Sequence, residues 1–312
     1  MSAERPDRGL PATGRSVTER YQVSVDPLAD NDPYAFSLAF IGSGRRVLEV
    51  GCASGHMTAA LVAAGNSVVG VEVDPDAAAE AANAAERVHV LDLDIESISA
   101  VEHELFDVVL AGDVLEHLRN PAAALDDVLT RLRPGGDLIL SIPNVTHADV
   151  RLHLLEGRFD YAESGLLDRT HLRWFTRASL RRLLANAGMV AVDLRRVTRP
   201  LGATHIEVGP AGESAAITNF IRSDPDHDTF QFVVRAQRLT DHEGPIDNDV
   251  LASPPPRWDL QVDRDVEELH EYARNLRSAL DERENSRLAR VQRACHQSLA
   301  TVRRRLSRNA SR

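Results

Sequence analysis

From residue 45 onward, short apolar runs alternate with amphipathic stretches. "RRVLEVG" (45–51) is apolar and ends in glycine, the pattern of a strand buried on both faces. "SVVGVEVD" (67–74), "RVHVLDLD" (87–94), "FDVVLAGD" (106–113) and "DLILSIPN" (137–144) repeat that pattern. Between them, "HMTAALVAAG" predicts a short helix closed by Gly65, and "PDAAAEAANAAE" a helix with Pro75 near its first turn. "NPAAALDDVLTRLRPGG" predicts a helix stopped by Pro134 and two glycines. This alternation, with such short connections, implies an α/β fold: a doubly wound, mostly parallel, Rossmann-like sheet. After an insertion at about 143–175, "TRASLRRLLANAG" predicts a helix with Thr176 as N-cap, Leu180, Leu183, Leu184 and Ala187 as its stripe, and Gly188 as its stop. "MVAVDLRRV" and "TFQFVVRAQRL" add two strands, making seven and closing the sheet near residue 239.

The flanks read differently. Residues 1–16 are expected to be disordered, 241–257 form an acidic, Pro-rich linker, 258–307 one long helix, and 308–312 a basic tail. In the helix, Val266, Leu269, Ala273, Leu276 and Leu280 follow a heptad seam. The stripe resumes at Leu288, Val291, Cys295, Leu299, Val302 and Leu306 after a polar break that resembles a four-residue stutter. So thin a stripe needs a partner: a coiled-coil homodimer, another protein, or the helix's own domain.

At 312 residues, 43% hydrophobic and with a mean hydropathy of -0.25, the chain can hold one substantial domain plus an appendage. No window approaches the roughly 18–20 apolar residues of a membrane span. The N-terminus lacks the apolar core of a secretion signal, and only Cys52 and Cys295 are present, so a cytoplasmic location is expected. Net charge is -11, unevenly spread: residues 285–312 hold eight arginines and no acid, leaving the remainder at -19. The acidic body argues against nucleic acid as a main partner. The basic tail suits peripheral contact with an anionic membrane, a nucleic acid or an acidic partner, or is a solvated helix end.

"EVGCASG" places Glu49, Gly51 and Gly55 at a strand-to-helix turn, where glycine lets backbone approach a ligand closely. Glu72, at the end of the second strand, can accept both hydroxyls of a ribose. Asp94, after the third strand, can accept a hydrogen bond from an amine. Acids around one glycine turn suit a nucleoside that carries a cation. A dinucleotide site fits less well. Its fingerprint is G-x-G-x-x-G, whereas here the spacing is Gly51-x-Ala53-x-Gly55, and Glu49 would repel a pyrophosphate.

These stretches, with "VVGVEVDP", "FDVVLAGDVLEHLRNP" and "LRPGGDLILSIPN", resemble the motifs of class I S-adenosylmethionine-dependent methyltransferases over about residues 17–240. The resemblance implies S-adenosylmethionine as cofactor. It sets Glu49, Gly51 and Gly55 against the methionine portion, Glu72 on the ribose, and Asp94 with Ile95 beside the adenine. Cys52, Ala53, Val73, Gly112 and Asp113 complete the implied cofactor contacts. Ala53 departs from the glycine many members carry, and is expected to need only an ordinary φ.

Ligands of open α/β sheets bind beyond the carboxyl ends of the strands. The insertion 143–175 starts from that edge and is expected to cover the cofactor as a lid or substrate wall. Asp113, Glu116 and His117 follow the fourth strand, and "LLDRTHLRWFT" supplies His171. Two imidazoles and two carboxylates can bind Mg²⁺ or Mn²⁺ and acidify an acceptor hydroxyl. The set resembles that of RNA 2′-O-methyltransferases of the small-RNA 3′-end type, where an E-x-x-E-H segment and a later His hold a metal. Two other readings stay open. In one, Glu116 and His117 orient a helix and His171 is a metal-free base. In the other, the segment is structural. His147 is a further candidate base. Asn144, Asp168 and Arg169 are candidate acceptor contacts, as is Trp174, which with Phe175 can instead anchor the insertion.

"GRFDYAESGLLDRTHLRWFT" resembles a segment of bacterial methyltransferases associated with cell-surface glycans, often with a C-terminal coiled coil. That puts O-methylation of a sugar or glycan precursor first. "DVLEHLRNP" resembles quinone-biosynthesis O-methyltransferases, so a phenolic acceptor is second. A scaffold with a cofactor-binding but inactive domain is the alternative of another class.

Overall fold

The computed structural model describes residues 25–241 together with 250 and 251. The expected disordered segment 1–16, the helix 258–307, the tail 308–312 and all of the linker except 241, 250 and 251 lie outside those residues. The chain divides into two units, 1–213 with 224–256 and 214–223 with 257–312.

The first unit is built on β1 Arg46–Val50, β2 Ser67–Glu72, β3 Arg87–Val90, β4 Phe106–Gly112, β5 Leu132–Pro143, β6 Met189–Thr198 and β7 Thr229–Arg238. They form one sheet in the order β3-β2-β1-β4-β5-β7-β6. The first five strands pair in parallel, and β7 lies antiparallel to both β5 and β6. The α/β class and the seven strands agree with the sequence pattern. The last strand does not end the sheet, however: it inserts between β5 and β6.

Strand alternation sorts the core into two layers. Leu48, Val50, Val109, Ala111, Leu138 and Leu140 face one side, packed with Leu125 and Val128 of α4 (Pro121–Leu129) and Leu180 and Leu184 of α6 (Arg177–Asn186). Val47, Val108, Leu110 and Ile139 face the other, against Leu38 and Ile41 of α1 (Pro33–Ile41) and Met57 and Leu61 of α2 (His56–Ala63). Helix α3 (Pro75–Ala81) buries Ala77, Ala78 and Ala81, and α5 (Ala148–Leu155) lies in the insertion. The described part of the second unit is α7 (Ala215–Arg222), capped by the Ser214 hydroxyl.

Local chemistry explains the boundaries. Thr176 and Ser179 form a reciprocal capping box that starts α6, a feature worth about 1 kcal/mol. The helix expected to stop at Pro134 ends instead at Leu129. Pro134, Gly135 and Gly136 belong to β5, where pairing with β4 slips from Phe106↔Leu132 to Val108↔Asp137. A bulge tolerates a proline without a donor and a glycine at φ 71°. Helix α3 stops five residues short of Glu86, and beyond it the Asn83 amide bonds the Glu80 carbonyl.

The two ends of the insertion meet at the carboxyl edge. Asn144 bridges Phe175 in parallel, and Val145 N–H donates to Phe175 O at 2.9 Å.

Candidate functional site

The glycine turn after β1 is closed by its own backbone. Gly51 and Cys52 N–H both donate to Val71 O, at 2.8 and 3.1 Å, and Gly55 N–H donates to Cys52 O at 2.9 Å. Gly51 has φ 71°, and a Cβ there would stand 2.4 Å from Val114 Cγ2. Gly55 has φ 88°, and its Cβ would meet Ala81 Cα at 2.7 Å. Both positions therefore need glycine for conformation and for space. Ala53 has φ 46°, which corrects the expectation of an ordinary backbone. A left-handed L-residue costs roughly 1–2 kcal/mol, and the Ala53 N–H is held by Glu72 Oε2 at 2.9 Å.

Glu72 ties this turn to the end of β2. Its Oε1 accepts from Val73 and Asp74 N–H at 2.8 and 3.0 Å. Glu49 is buried, and Thr58 of α2 donates to its Oε2 at 2.6 Å. Burial pushes the Glu49 carboxyl up to about 8; the Thr58 bond opposes this and the charge of Glu72 adds to it. Burial and the same two acids raise the Cys52 thiol, which lines the turn as an inert wall. Asp94 Oδ1 accepts from Arg119 N–H at 2.8 Å, joining the loop after β3 to the one after β4. Val73 and Ile95 leave apolar surface open at these strand ends, 49% and 72% exposed. An acidic strand end beside open apolar side chains fits a ribose and a flat base. The buried Glu49 acid fits a cation.

After β4 the chain turns through Asp113, at φ 54°, into a 3₁₀ turn at Leu115–His117. The insertion clips onto that turn. Leu172 and Arg173 N–H both donate to Glu116 O, at 2.8 and 2.9 Å, and His117 Nδ1 lies 3.2 Å from Thr170 O. The His117 and His171 rings stand edge to face, 4.9 Å apart, with Trp174 5.5 Å from His171. One ligand atom each from Glu116, His117 and His171 lies within 4.8 Å of the others. Neither the Glu116 carboxylate oxygens nor His171 Nδ1 makes a hydrogen bond of normal geometry. Burial raises Glu116 and Asp113, so a proton held between these two acids would satisfy both. Burial lowers both imidazoles, His171 to about 4. They are thus neutral at pH 7, the form that ligates metals.

The profile of a methyltransferase domain family matches residues 24–194, more than half of the chain. The chain belongs to this family. It is similar to a ubiquinone biosynthesis O-methyltransferase of Psychrobacter arcticus, 29% identical over 168 residues, which are 49% of this chain and 62% of that protein. It is also similar to one of Aeromonas salmonicida, 25% identical over 193 residues, covering 59% and 78%. The chain thus spans less than two thirds of the first relative's length. Among solved structures it is similar to a SAM-dependent methyltransferase of Methanosarcina mazei, with TM-score 0.47 and 17% identity over 70% of this chain and 99% of that one.

In this methyltransferase-family chain, several expected site residues have other work. His147 is fully buried: Nδ1 accepts from Asp149 N–H at 3.1 Å as the N-cap of α5, and Nε2 donates to Arg199 O at 2.8 Å. No lone pair remains to take an acceptor's proton. Asn144 is also buried, its amide donating to Thr229 O at 2.9 Å and its carbonyl accepting from Thr146 N–H and Oγ1. It does not reach toward an acceptor. Arg169 pairs with Glu163 on the surface. Asp168 caps its own turn through Thr170 N–H at 2.7 Å, yet its charge bears on Glu116 and both imidazoles. Asp113 is near the cluster but not of it, and Gln231 Nε2 donates to its Oδ1 at 2.6 Å. Trp174 packs on Phe159 and Tyr161, and Phe175 enters the main core.

Thr58, Ser141 and Gln231 were not foreseen. The available signal was a lone polar residue in an otherwise apolar run.

Proposed function

We propose that this chain is an S-adenosylmethionine-dependent O-methyltransferase of a phenolic small molecule, acting in the cytoplasm. The convergence of Glu116, His117 and His171, beside the glycine turn at the carboxyl edge, carries the reading. Methyl transfer needs the acceptor oxygen aligned with the sulfonium methyl, and a neutral alcohol is a poor nucleophile. Gly51 and Val114 in contact put the acceptor-side turn directly against the cofactor loop. Buried Glu116 oxygens and a His171 Nδ1 that make no hydrogen bond of normal geometry, within 4.8 Å of a His117 nitrogen, fit a divalent cation better than a solvated loop. When bound, such an ion would lower the pKa of an acceptor hydroxyl. Glu116, His117 and His171 would hold it, while Glu72 binds the ribose and Glu49 meets the cofactor's positive charge. Asp113 is not among the proposed ligands.

The aromatic wall of Phe159, Tyr161 and Trp174 beside His171 favours a phenolic ring over the sugar or glycan precursor placed first from sequence. The names of the two similar proteins point the same way. Among the described residues no helix is long and apolar enough to cross a membrane.

Transfer of a labelled methyl group to a panel of catechols and phenols tests the proposal. Wild type should transfer, and His171→Ala and exhaustively chelated enzyme should not. Full rate after chelation removes the cation from the reading. No calorimetric binding of S-adenosylmethionine removes the enzyme reading and leaves the scaffold.

A further inference from the structure

A buried acid, Glu116, and a half-buried one, Asp113, follow β4, yet only Glu116 shares the space of the two imidazoles. Asp113 has further anchors on β5 and β7. Its N–H donates to Ser141 O at 3.0 Å, and its Oδ1 accepts from Gln231 Nε2 at 2.6 Å. The same Nε2 lies 2.5 Å from Ser141 Oγ. Gln231 is only 5% exposed and sits on β7 opposite Pro143, so its amide spans from β7 across β5 to the end of β4. Asp113 also adopts φ 54°, a backbone that an L-residue keeps only when its surroundings hold it there.

We propose that Gln231 is a positioning residue: its amide anchors Asp113 to β5 and β7 and leaves Glu116 as the one carboxylate of the His117–His171 cluster. This rests on the reading of that cluster as the acceptor-activating site. The half-buried Asp113 and the buried Glu116 lie three residues apart on one turn. A donor fixed on one of them decides which is free to turn toward the imidazoles. The antiparallel insertion of β7 beside β5 brings that donor to the site, from a residue 118 positions away in sequence. Without the amide, Asp113 competes with Glu116 for the same space.

Four variants of the full chain test this: Gln231→Leu, Gln231→Glu, Asp113→Asn, and Gln231→Leu with Asp113→Asn. Mn²⁺ affinity is read by calorimetry, alongside kcat and the KM for S-adenosylmethionine. Gln231→Leu should lower Mn²⁺ affinity and kcat by about 10-fold, the low end of the loss seen when a ligand's surroundings are disturbed, because a released Asp113 displaces the Glu116 ligand, with cofactor KM unchanged. The double variant should match Asp113→Asn alone, because the effect runs through Asp113. Wild-type kcat and Mn²⁺ affinity in Gln231→Leu overturn the proposal, as does full additivity in the double variant. If Gln231→Leu does not fold, Gln231→Glu keeps the size and removes the donor. It should show the same loss, and wild-type behaviour there overturns the proposal equally. If wild type binds no Mn²⁺, the cation reading fails by itself, and the kcat comparison still decides the role of Gln231.

Discussion

Replacing Glu49 with glutamine should stabilise the cofactor-free protein, and by an amount that depends on pH. Glu49 is 2% exposed, and burial raises its carboxyl from 4.5 to about 8. The folded state therefore binds a proton that the unfolded state releases between those values. The sign follows. Stability from this group is fully present below 4.5, declines as pH rises, and is gone above 8. At 1.36 kcal/mol per pH unit, the whole window is worth about 5 kcal/mol, and about 3 kcal/mol is already lost at pH 7. Glutamine has no proton to lose, and its carbonyl can still accept from the Thr58 hydroxyl.

Thermal unfolding of wild type and Glu49→Gln without cofactor, at pH 5, 7 and 8.5, measures this. The two should nearly coincide at pH 5. At pH 7 the variant should melt higher by about 6–12 °C, and the gap should widen further at pH 8.5. S-adenosylmethionine should bind wild type more tightly as pH rises toward 8, because its positive charge favours the ionised acid, and bind the variant weakly at every pH. A stability gap that does not change with pH would refute the reasoning.

Two further substitutions separate conformation from chemistry. At Ala53, glycine removes a left-handed strain of roughly 1 kcal/mol but adds a similar entropy cost, so Ala53→Gly should unfold within about 1 kcal/mol of wild type. Ala53→Val should be clearly less stable, and equal melting temperatures for valine and alanine would contradict the assigned backbone. His147→Ala removes two buried hydrogen bonds and should cost about 2–4 kcal/mol in denaturant unfolding while leaving kcat intact at low temperature. A collapse of kcat in a folded His147→Ala protein would return this residue to the reaction.

The strands β1, β2, β4 and β5 were legible because parallel strands buried on both faces read as apolar runs, while the edge strand β3 showed only as alternation in "RVHV". Helix α1 was not, since "PYAFSLAFI" is apolar all round and carries no helical period. Nor was α5, which lies in the insertion with buried Asp149 and His153 among its leucines. The position of β7 is a fact of topology, not of local pattern. In the site, Glu49 and Glu72 could be read from their places at strand ends. The φ of Ala53 could not, because alanine carries no mark of a left-handed position. His147 looked like an available base because sequence does not show that Arg199 and Asp149 occupy both of its nitrogens. Gln231 stayed hidden for the opposite reason: alternation in "TFQFVVRAQR" says that a side chain alternates, not that it meets Asp113 on another strand.

The insertion was expected as a lid or a wall, and its bonds tie it to the turn after β4. One carbonyl, Glu116 O, takes both the Leu172 and Arg173 N–H groups, and the Arg173 guanidinium bonds Arg119 O on the same turn. Each bond is worth about 1 kcal/mol net, more where water cannot replace it. At the far end, the Asn144–Phe175 bridge fixes both ends of the segment to the sheet edge. A segment swinging open at 170–173 would break these bonds and carry His171 away from His117. The imidazoles, the Glu116 carboxylate and the aromatic wall are therefore one assembly, set before any ligand arrives. On the proposed reading the fixed shape of that wall would select the acceptor, and loss of a single clip should disturb the chemistry and the pocket together.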